Sequence, residues 1–164
     1  PYVRLVQPTS KKIEISKGKD AEAGTFYFND TQTSVESLEF ALIKAKYGMQ
    51  AFERDGEMIN AVKLAILGMT LDTSKLFVIT LSVMSFTNFG SLVAKMKEAG
   101  ITKTWEHKII MTSEKQENDK GKYFTARFEL GEKLSDSQIV DLEAKHTQYG
   151  MVLDRKNPQS DVEL

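Results

Sequence analysis

The chain has 164 residues, of which 41% are hydrophobic and 27% charged, a composition typical of one globular domain with a buried core. It contains no cysteine, which excludes disulfides, thiolate metal sites and cysteine nucleophiles. With 22 basic and 23 acidic residues the net charge is -1, so any attraction for nucleic acid must come from a local cluster of basic groups.

Neither a membrane span nor a secretory signal is expected. The strongly apolar stretch at 76–84 is far shorter than the roughly 20 residues that a membrane helix needs. The first six residues lack the basic region and the long apolar region of a signal peptide. We therefore expect a cytoplasmic protein that does not bind membranes.

The beginning of the chain is predicted to form short strands around a polar loop. Residues 3–7 read as a first strand, and the lysine-rich residues 11–23 read as a mobile basic loop. Residues 24–30 follow as a short strand, which places Tyr27 on the opposite face from its two phenylalanine neighbours.

Residues 38–52 are predicted to form one long, bent strand, although their many Ala, Leu, Glu and Lys residues also suit a helix. Uninterrupted alternation puts Lys44 and Lys46 on the same face as Phe40, and it puts Ala45 on the other face.

The middle of the chain reads as a turn, a hairpin and a helix. Asp55-Gly56 is a turn signal, and the apolar runs 62–71 and 76–85 flank a second turn. Helical spacing then predicts a helix over 88–99, which Gly100 ends.

The last third is predicted to hold a hairpin and a terminal helix. Residues 105–113 and 122–130 read as paired strands around a charged connection. Ser135 and Gln138 form a capping box for a helix that runs to Gly150.

This order of elements predicts a mainly β (α+β) fold. It fits a curved antiparallel OB-like barrel with a helix before the last hairpin and a C-terminal helix, although another α+β sheet fits the pattern too. We expect residues 1–134 to form the OB-like domain, with residues 135–164 adding a helix and a polar tail packed on it.

Residues 122–130 carry different chemistry on their two faces. Phe124, Ala126 and Phe128 can build a core, whereas the other face places Tyr123 close to Arg127. An aromatic ring beside a guanidinium suits stacked bases beside a phosphate backbone.

Basic and aromatic residues are also interleaved at Tyr27 and over residues 44–54. The candidates for base stacking are Tyr27, Tyr47, Phe52 and Tyr123. The candidates for phosphate contact are Lys44, Lys46, Arg54, Lys120, Lys122 and Arg127. The competing structural explanation is that the rings belong to the core and that the lysines keep strand edges soluble.

Enzymatic interpretations find little support in the sequence. His107 and His146 are not spaced as metal ligands, and neither a Walker loop nor a nucleophile elbow is present. Glu53, Asp55 and Glu57 could bind a hard cation in a metal-dependent nuclease, but a solvated turn explains them more simply. We therefore predict a protein without enzymatic activity, cofactor or metal.

Three segments resemble a known family. Residues 1–10 (PYVRLVQPTS), 23–29 (AGTFYFN) and 118–124 (NDKGKYF) are similar to segments of tailed-bacteriophage single-stranded DNA-binding proteins. That resemblance implies an OB-fold replication or recombination protein that holds DNA on a barrel face. The matching positions are Tyr27, Lys122, Tyr123 and Arg127, and the zinc element of some relatives is not implied, because there is no cysteine.

The sequence thus predicts a phage-encoded protein that coats single-stranded DNA during replication or recombination. Its C-terminal tail, with Asp161 and Glu163, could recruit replication or recombination proteins, although a solvated chain end fits as well, and a homodimer is one option. The alternative from another class is a protein-interaction or virion structural module that pairs through exposed strand edges and does not bind nucleic acid.

Overall fold

The structure is a computed structural model that describes residues 2–8, 13–16, 19–154 and 159–161; side chains are described for these residues except 13–16, 19–21, 52 and 159–161. It is mainly β, with a curled half-barrel sheet and two α-helices. The predicted fold class is therefore confirmed, with a helix before the last hairpin and another near the C-terminus.

The described strands are β1 (Val3–Val6), β2 (Ile13–Ser16), β3 (Lys19–Ala21), β4 (Phe26–Phe28), β5 (Thr33–Val35), β6 (Ser37–Arg54), β7 (Glu57–Thr70), β8 (Leu76–Leu81), β9 (His107–Asn118), β10 (Gly121–Lys133) and β11 (Gln159–Asp161). The described α-helices are α1 (Phe86–Glu98) and α2 (Asp136–Tyr149), and single turns of 3-10 helix lie at Val83–Ser85, Thr104–Glu106 and Gly150–Leu153.

Nine of these strands form one sheet. Its order is β10-β9-β6-β7-β8-β1-β4-β5, and β11 pairs with β6. All neighbours are antiparallel except β1 and β8, which run parallel. The sheet is therefore antiparallel, as predicted, except at this one pair of strands.

The long strand β6 lies at the centre of the sheet, but its faces are not those of simple alternation. The register with β7 shifts between Leu42 and Lys44, which is a β-bulge. After the bulge Ala45 lies in the same core as Phe40. Lys44 and Lys46 are therefore turned away from Phe40, and the prediction that they share its face is wrong.

The first core fills the face of the sheet that α1 covers. Phe89 of α1 packs edge-to-face on Phe128 of β10, with 5.4 Å between ring centroids. Two hydrogen bonds fix the start of this helix to β10: the Asn88 amide donates to the Ala126 carbonyl at 2.9 Å, and the Ala126 N–H donates to the Ser85 hydroxyl at 2.9 Å. These bonds also satisfy polar groups at the edge of β10.

The second core lies on the opposite face, under α2. Leu142 of α2 belongs to the same buried cluster as Ala41 and Ile43 of β6. The predicted capping box at Ser135 and Gln138 is present at the start of this helix.

Two other expectations are corrected. Part of the predicted loop over 11–23 forms a small antiparallel pair, because β2 and β3 are hydrogen-bonded to each other. Near the C-terminus β11 pairs with residues 46–48 of β6, so this part of the tail packs on the sheet and is not a solvated chain end. Residues 162–164 of the predicted tail lie outside the described residues.

Gly68 of β7 provides a direct test of the packing of the first core. A Cβ at this position would lie 2.6 Å from Phe77 Cζ and 2.8 Å from Phe40 Cδ2. Both rings are fully buried, so neither can move aside without disturbing the core. We expect Gly68→Ala to lower the free energy of unfolding by about 1–3 kcal/mol in a denaturant titration.

Gly90 is the matched control, because it lies exposed in α1 and an added Cβ would meet nothing within 4 Å. Gly90→Ala should raise the free energy of unfolding by about 0.5–1 kcal/mol through its helix propensity. Equal stability of Gly68→Ala and the unmodified protein would contradict the packing described for Phe40 and Phe77.

Candidate nucleic-acid interface

Two hairpins extend beyond the strands that flank them. The first arm consists of residues 49–62, in which β6 and β7 pair only with each other, from Met49 opposite Val62 to Arg54 opposite Glu57. Its turn is the predicted Asp-Gly, and both residues have positive φ, 52° at Asp55 and 81° at Gly56. This conformation is that of a type I′ turn, which matches the twist of a β-hairpin.

The second arm consists of residues 113–126, where β9 has passed the end of its pairing with β6. It is attached to the far side of the half-barrel at two points. The Gln7 amide donates to the Ser113 hydroxyl at 3.0 Å, and the ring of Phe124 lies against Gly24. A Cβ on Gly24 would be 2.8 Å from that ring, so the approach requires glycine.

A groove of about 630 Å³ separates the two arms and runs over the segment that precedes α1. We call it the inter-arm groove. It is lined by Arg54, Ile59, Ala61, Val62, Lys63, Ser82, Val83, Met84, Asn118, Lys120, Gly121, Lys122, Tyr123 and Phe124.

The charge of the groove differs from that of the whole chain. Four of its lining residues are cations, and none of the described residues that line it is acidic. Within the described part of the chain, the ammonium groups of Lys120 and Lys122 have no ion-pair partner. The lining of the groove is therefore cationic, although the chain as a whole has a net charge of -1.

The two cations of the β6–β7 wall lie close enough to repel each other. Burial lowers the pKa of Lys63, and the positive charge of Arg54 lowers the pKa further. A bound anion would offset that repulsion, because its negative charge attracts both cations.

The groove also offers apolar surface to a ligand. Val83 is 61% exposed and Met84 is 47% exposed, although both lie in an apolar sequence run. The half-buried ring of Tyr123 stands on the opposite wall. A ring and apolar side chains among cations can bind flat bases and charged phosphates together.

Four of the ten sequence-predicted site residues therefore meet in one groove, namely Arg54, Lys120, Lys122 and Tyr123. Sequence reasoning missed Lys63, Val83 and Met84. Lys63 is an isolated charge within a strand pattern, so nothing in the sequence marks it as part of a site. Val83 and Met84 continue the apolar run of β8, which indicates buried and not exposed side chains.

The remaining predicted residues lie elsewhere. Tyr27 is only 2% exposed, so its proposed stacking role is wrong. Arg127 is exposed but lies outside the lining of the groove, 3.9 Å from a carboxylate oxygen of Glu114. Tyr47 packs edge-on against Phe86 at 4.9 Å, and the side chain of Phe52 is outside the described part.

Lys44 and Lys46 face the C-terminal segment instead of the groove. Lys46 is 9% exposed and forms an ion pair with Asp154. Lys44 lies beside Gly150 and acts electrostatically on His146. The bulge turns both lysines to the face of the second core, so they do not join the other predicted phosphate contacts in the groove.

Among the residues that the structure describes, no three histidine, aspartate or glutamate side chains converge to hold a metal ion. Glu53, Asp55 and Glu57 therefore do not form the cluster that a metal-dependent nuclease would need. None of the described helices is long and apolar enough to cross a membrane.

Comparison with known proteins identifies no related protein. The chain matches no protein-family description, no curated protein and no solved structure.

The position of Lys44 can be tested through its effect on His146. The imidazole stacks on Trp105, with 4.6 Å between ring centroids. Burial lowers the pKa of His146 from its ordinary value of 6.5, Lys44 lowers it further and Glu143 acts in the opposite direction. In NMR titrations His146 should titrate below 6.5, and Lys44→Gln should raise its midpoint.

The same shift links folding to pH. Since folding lowers the pKa of His146, the unfolded chain takes up this proton first as the pH falls. The contribution of His146 to stability is therefore complete above about pH 6.5 and is lost as the pH falls towards the pKa of the folded state.

An unchanged titration midpoint of His146 in the Lys44→Gln variant would place Lys44 away from His146.

Proposed function

We propose that this protein binds single-stranded DNA in the inter-arm groove, largely without regard to base sequence, and protects it during phage DNA replication or recombination. The observation that carries this proposal is the grouping of four cations, an aromatic ring and exposed apolar side chains in one groove, with no acidic residue among its described lining. The resemblance of residues 1–10, 23–29 and 118–124 to phage single-stranded DNA-binding proteins supports the same function.

The division of roles follows from side-chain chemistry. Lys120 and Lys122 on one wall, and Arg54 and Lys63 on the other, contact phosphates from both sides of the strand. The ring of Tyr123 stacks on a base, a contact worth about 1–3 kcal/mol. Stacking requires a base with a free face, which favours single-stranded over duplex DNA.

A second candidate is a protein-interaction or virion structural module. The first arm favours it, because Met58 is 71% exposed and Met49 and Val62 are each 43% exposed. A protein of this class would associate through the arm and would ignore DNA. Sedimentation with and without oligothymidine separates the two functions.

Tyr123 tests the stacking contact. Tyr123→Ala should raise the Kd for fluorescein-labelled oligothymidine about 5-fold to 150-fold in an anisotropy titration, because one stacked base is lost. Tyr123→Phe is the matched control, since it keeps the ring and should bind within about twofold of the unmodified protein. If the alanine variant folds and binds equally well, Tyr123 is outside the site.

The salt dependence of binding tests the phosphate contacts. With four cations on a single strand, log K should fall against log salt concentration with a slope of about -3. Lys122→Gln should reduce the slope by about 0.7, because one released counterion is lost.

Lys97→Gln is the control for this measurement. Lys97 is exposed near the end of α1, and a helix of that length places it roughly 15 Å or more from the groove. The slope of log K against log salt concentration should be the same for Lys97→Gln as for the unmodified protein. Equal slopes in all three proteins would show that Lys122 does not contact phosphate.

A further inference from the structure

We propose that the bound strand continues beyond the inter-arm groove into a second pocket, where Tyr2 and Arg4 hold a further nucleotide. This inference rests on the proposed function. It adds a binding site on β1, a strand that the sequence did not indicate as part of the interface.

The second pocket lies at the base of the first arm and has a volume of about 280 Å³. Its polar lining comes from three parts of the chain: Tyr2 and Arg4 at the start, Gln50 on the first arm and Thr80 on β8. Arg4 lies opposite Val78 in the parallel pair of β1 and β8, so alternation places Arg4 and Thr80 on the same face of the sheet.

These four side chains offer the groups that one nucleotide needs. The ring of Tyr2 is 40% exposed and can stack on a base. The exposed guanidinium of Arg4 has no hydrogen bond or ion pair within the described part of the chain, and its fork of donors fits a phosphate. The Gln50 amide and the Thr80 hydroxyl can bond to the sugar or to base edges.

The charge of the second pocket agrees with that of the groove. None of the described residues that line it is acidic, and Arg4 is its one cationic lining residue. The described lining of both sites therefore favours a phosphodiester over a cationic ligand.

The two sites adjoin at two positions in the sheet. Gln50 of the second pocket is the cross-strand partner of Ala61, which lines the groove, and such partners lie about 5 Å apart. Thr80 of the second pocket is two residues from Ser82 of the groove, about 7 Å along the chain. A strand that leaves the groove at the base of the first arm reaches the second pocket within one or two nucleotides.

The length of the DNA distinguishes this inference from the function on which it rests. Oligothymidines of about 4 and 16 nucleotides span the usual range of site sizes for one OB-type domain. The double variant Tyr2→Ala, Arg4→Gln should bind the 16-mer at least about fivefold more weakly than the unmodified protein. Its loss of affinity for the 4-mer should be smaller, because a 4-mer can contact the four cations of the groove without entering the second pocket.

Two further variants keep the outcome interpretable. Tyr123→Ala should weaken the binding of both oligonucleotides, because it acts in the groove. Gln50→Ala alters the second pocket on the side of the first arm and leaves β1 unchanged. It should weaken binding of the 16-mer more than binding of the 4-mer, but by less than the double variant does. Thermal unfolding of each variant confirms that the fold is retained.

Each outcome has one meaning. An unchanged Kd of the double variant and of Gln50→Ala for the 16-mer, with weaker binding by Tyr123→Ala, would overturn the second pocket and leave the groove in place. Failure of the unmodified protein to bind either oligonucleotide would overturn both proposals.

Discussion

The β-bulge in β6 is the constraint on which both faces of the sheet depend. Side chains alternate between the two faces of a strand, so one extra residue exchanges the faces for every residue after it. In β6 this residue lies between Leu42 and Lys44. The shift brings Ala45 and Tyr47 to the core that contains Phe40, and it turns the neighbouring lysines to the second face.

The alternative register would be costly. Without the bulge, Lys44 and Lys46 would point into the apolar first core, where an unpaired ammonium group costs several kcal/mol. With it, Lys46 meets Asp154, and β11 adds its backbone to the same stretch of β6. The central strand can then continue without a break from the core into the first arm. An isolated two-stranded hairpin is marginally stable in water, so both arms depend on ladders that begin within the sheet.

The elements that were predicted correctly from the sequence are those with a short local signal. The Asp-Gly turn at 55–56, the capping box at Ser135 and the helix before the last hairpin each have a short signal, and each is present. The bulge could not be predicted, because Ile43 is apolar and buried and suits either register. Tyr27 was misplaced because the structure covers both faces of its short strand, whereas alternation assumes that one face is open.

The candidate site was predictable only in part, since its walls come from distant segments. Lys120, Lys122 and Tyr123 flank one turn, so the sequence shows them together. Their partners across the groove, Arg54 and Lys63, are more than 50 residues away and meet them through the sheet order alone. For the same reason the pocket at Tyr2 and Arg4 has no signature in the sequence.

Binding of DNA between the arms is tested most directly with the seven methionines as probes. In a protein labelled with 13C at the methionine methyl groups, oligothymidine is titrated at low salt and each signal is assigned by single substitution. Met84 lies in the inter-arm groove, whereas the exposed Met151 lies in the 3-10 turn after α2, outside the groove lining. If DNA binds between the arms, the Met84 methyl signal shifts to saturation while the Met151 signal stays in place. A stationary Met84 signal, with or without a shift of Met151, would contradict DNA binding between the arms.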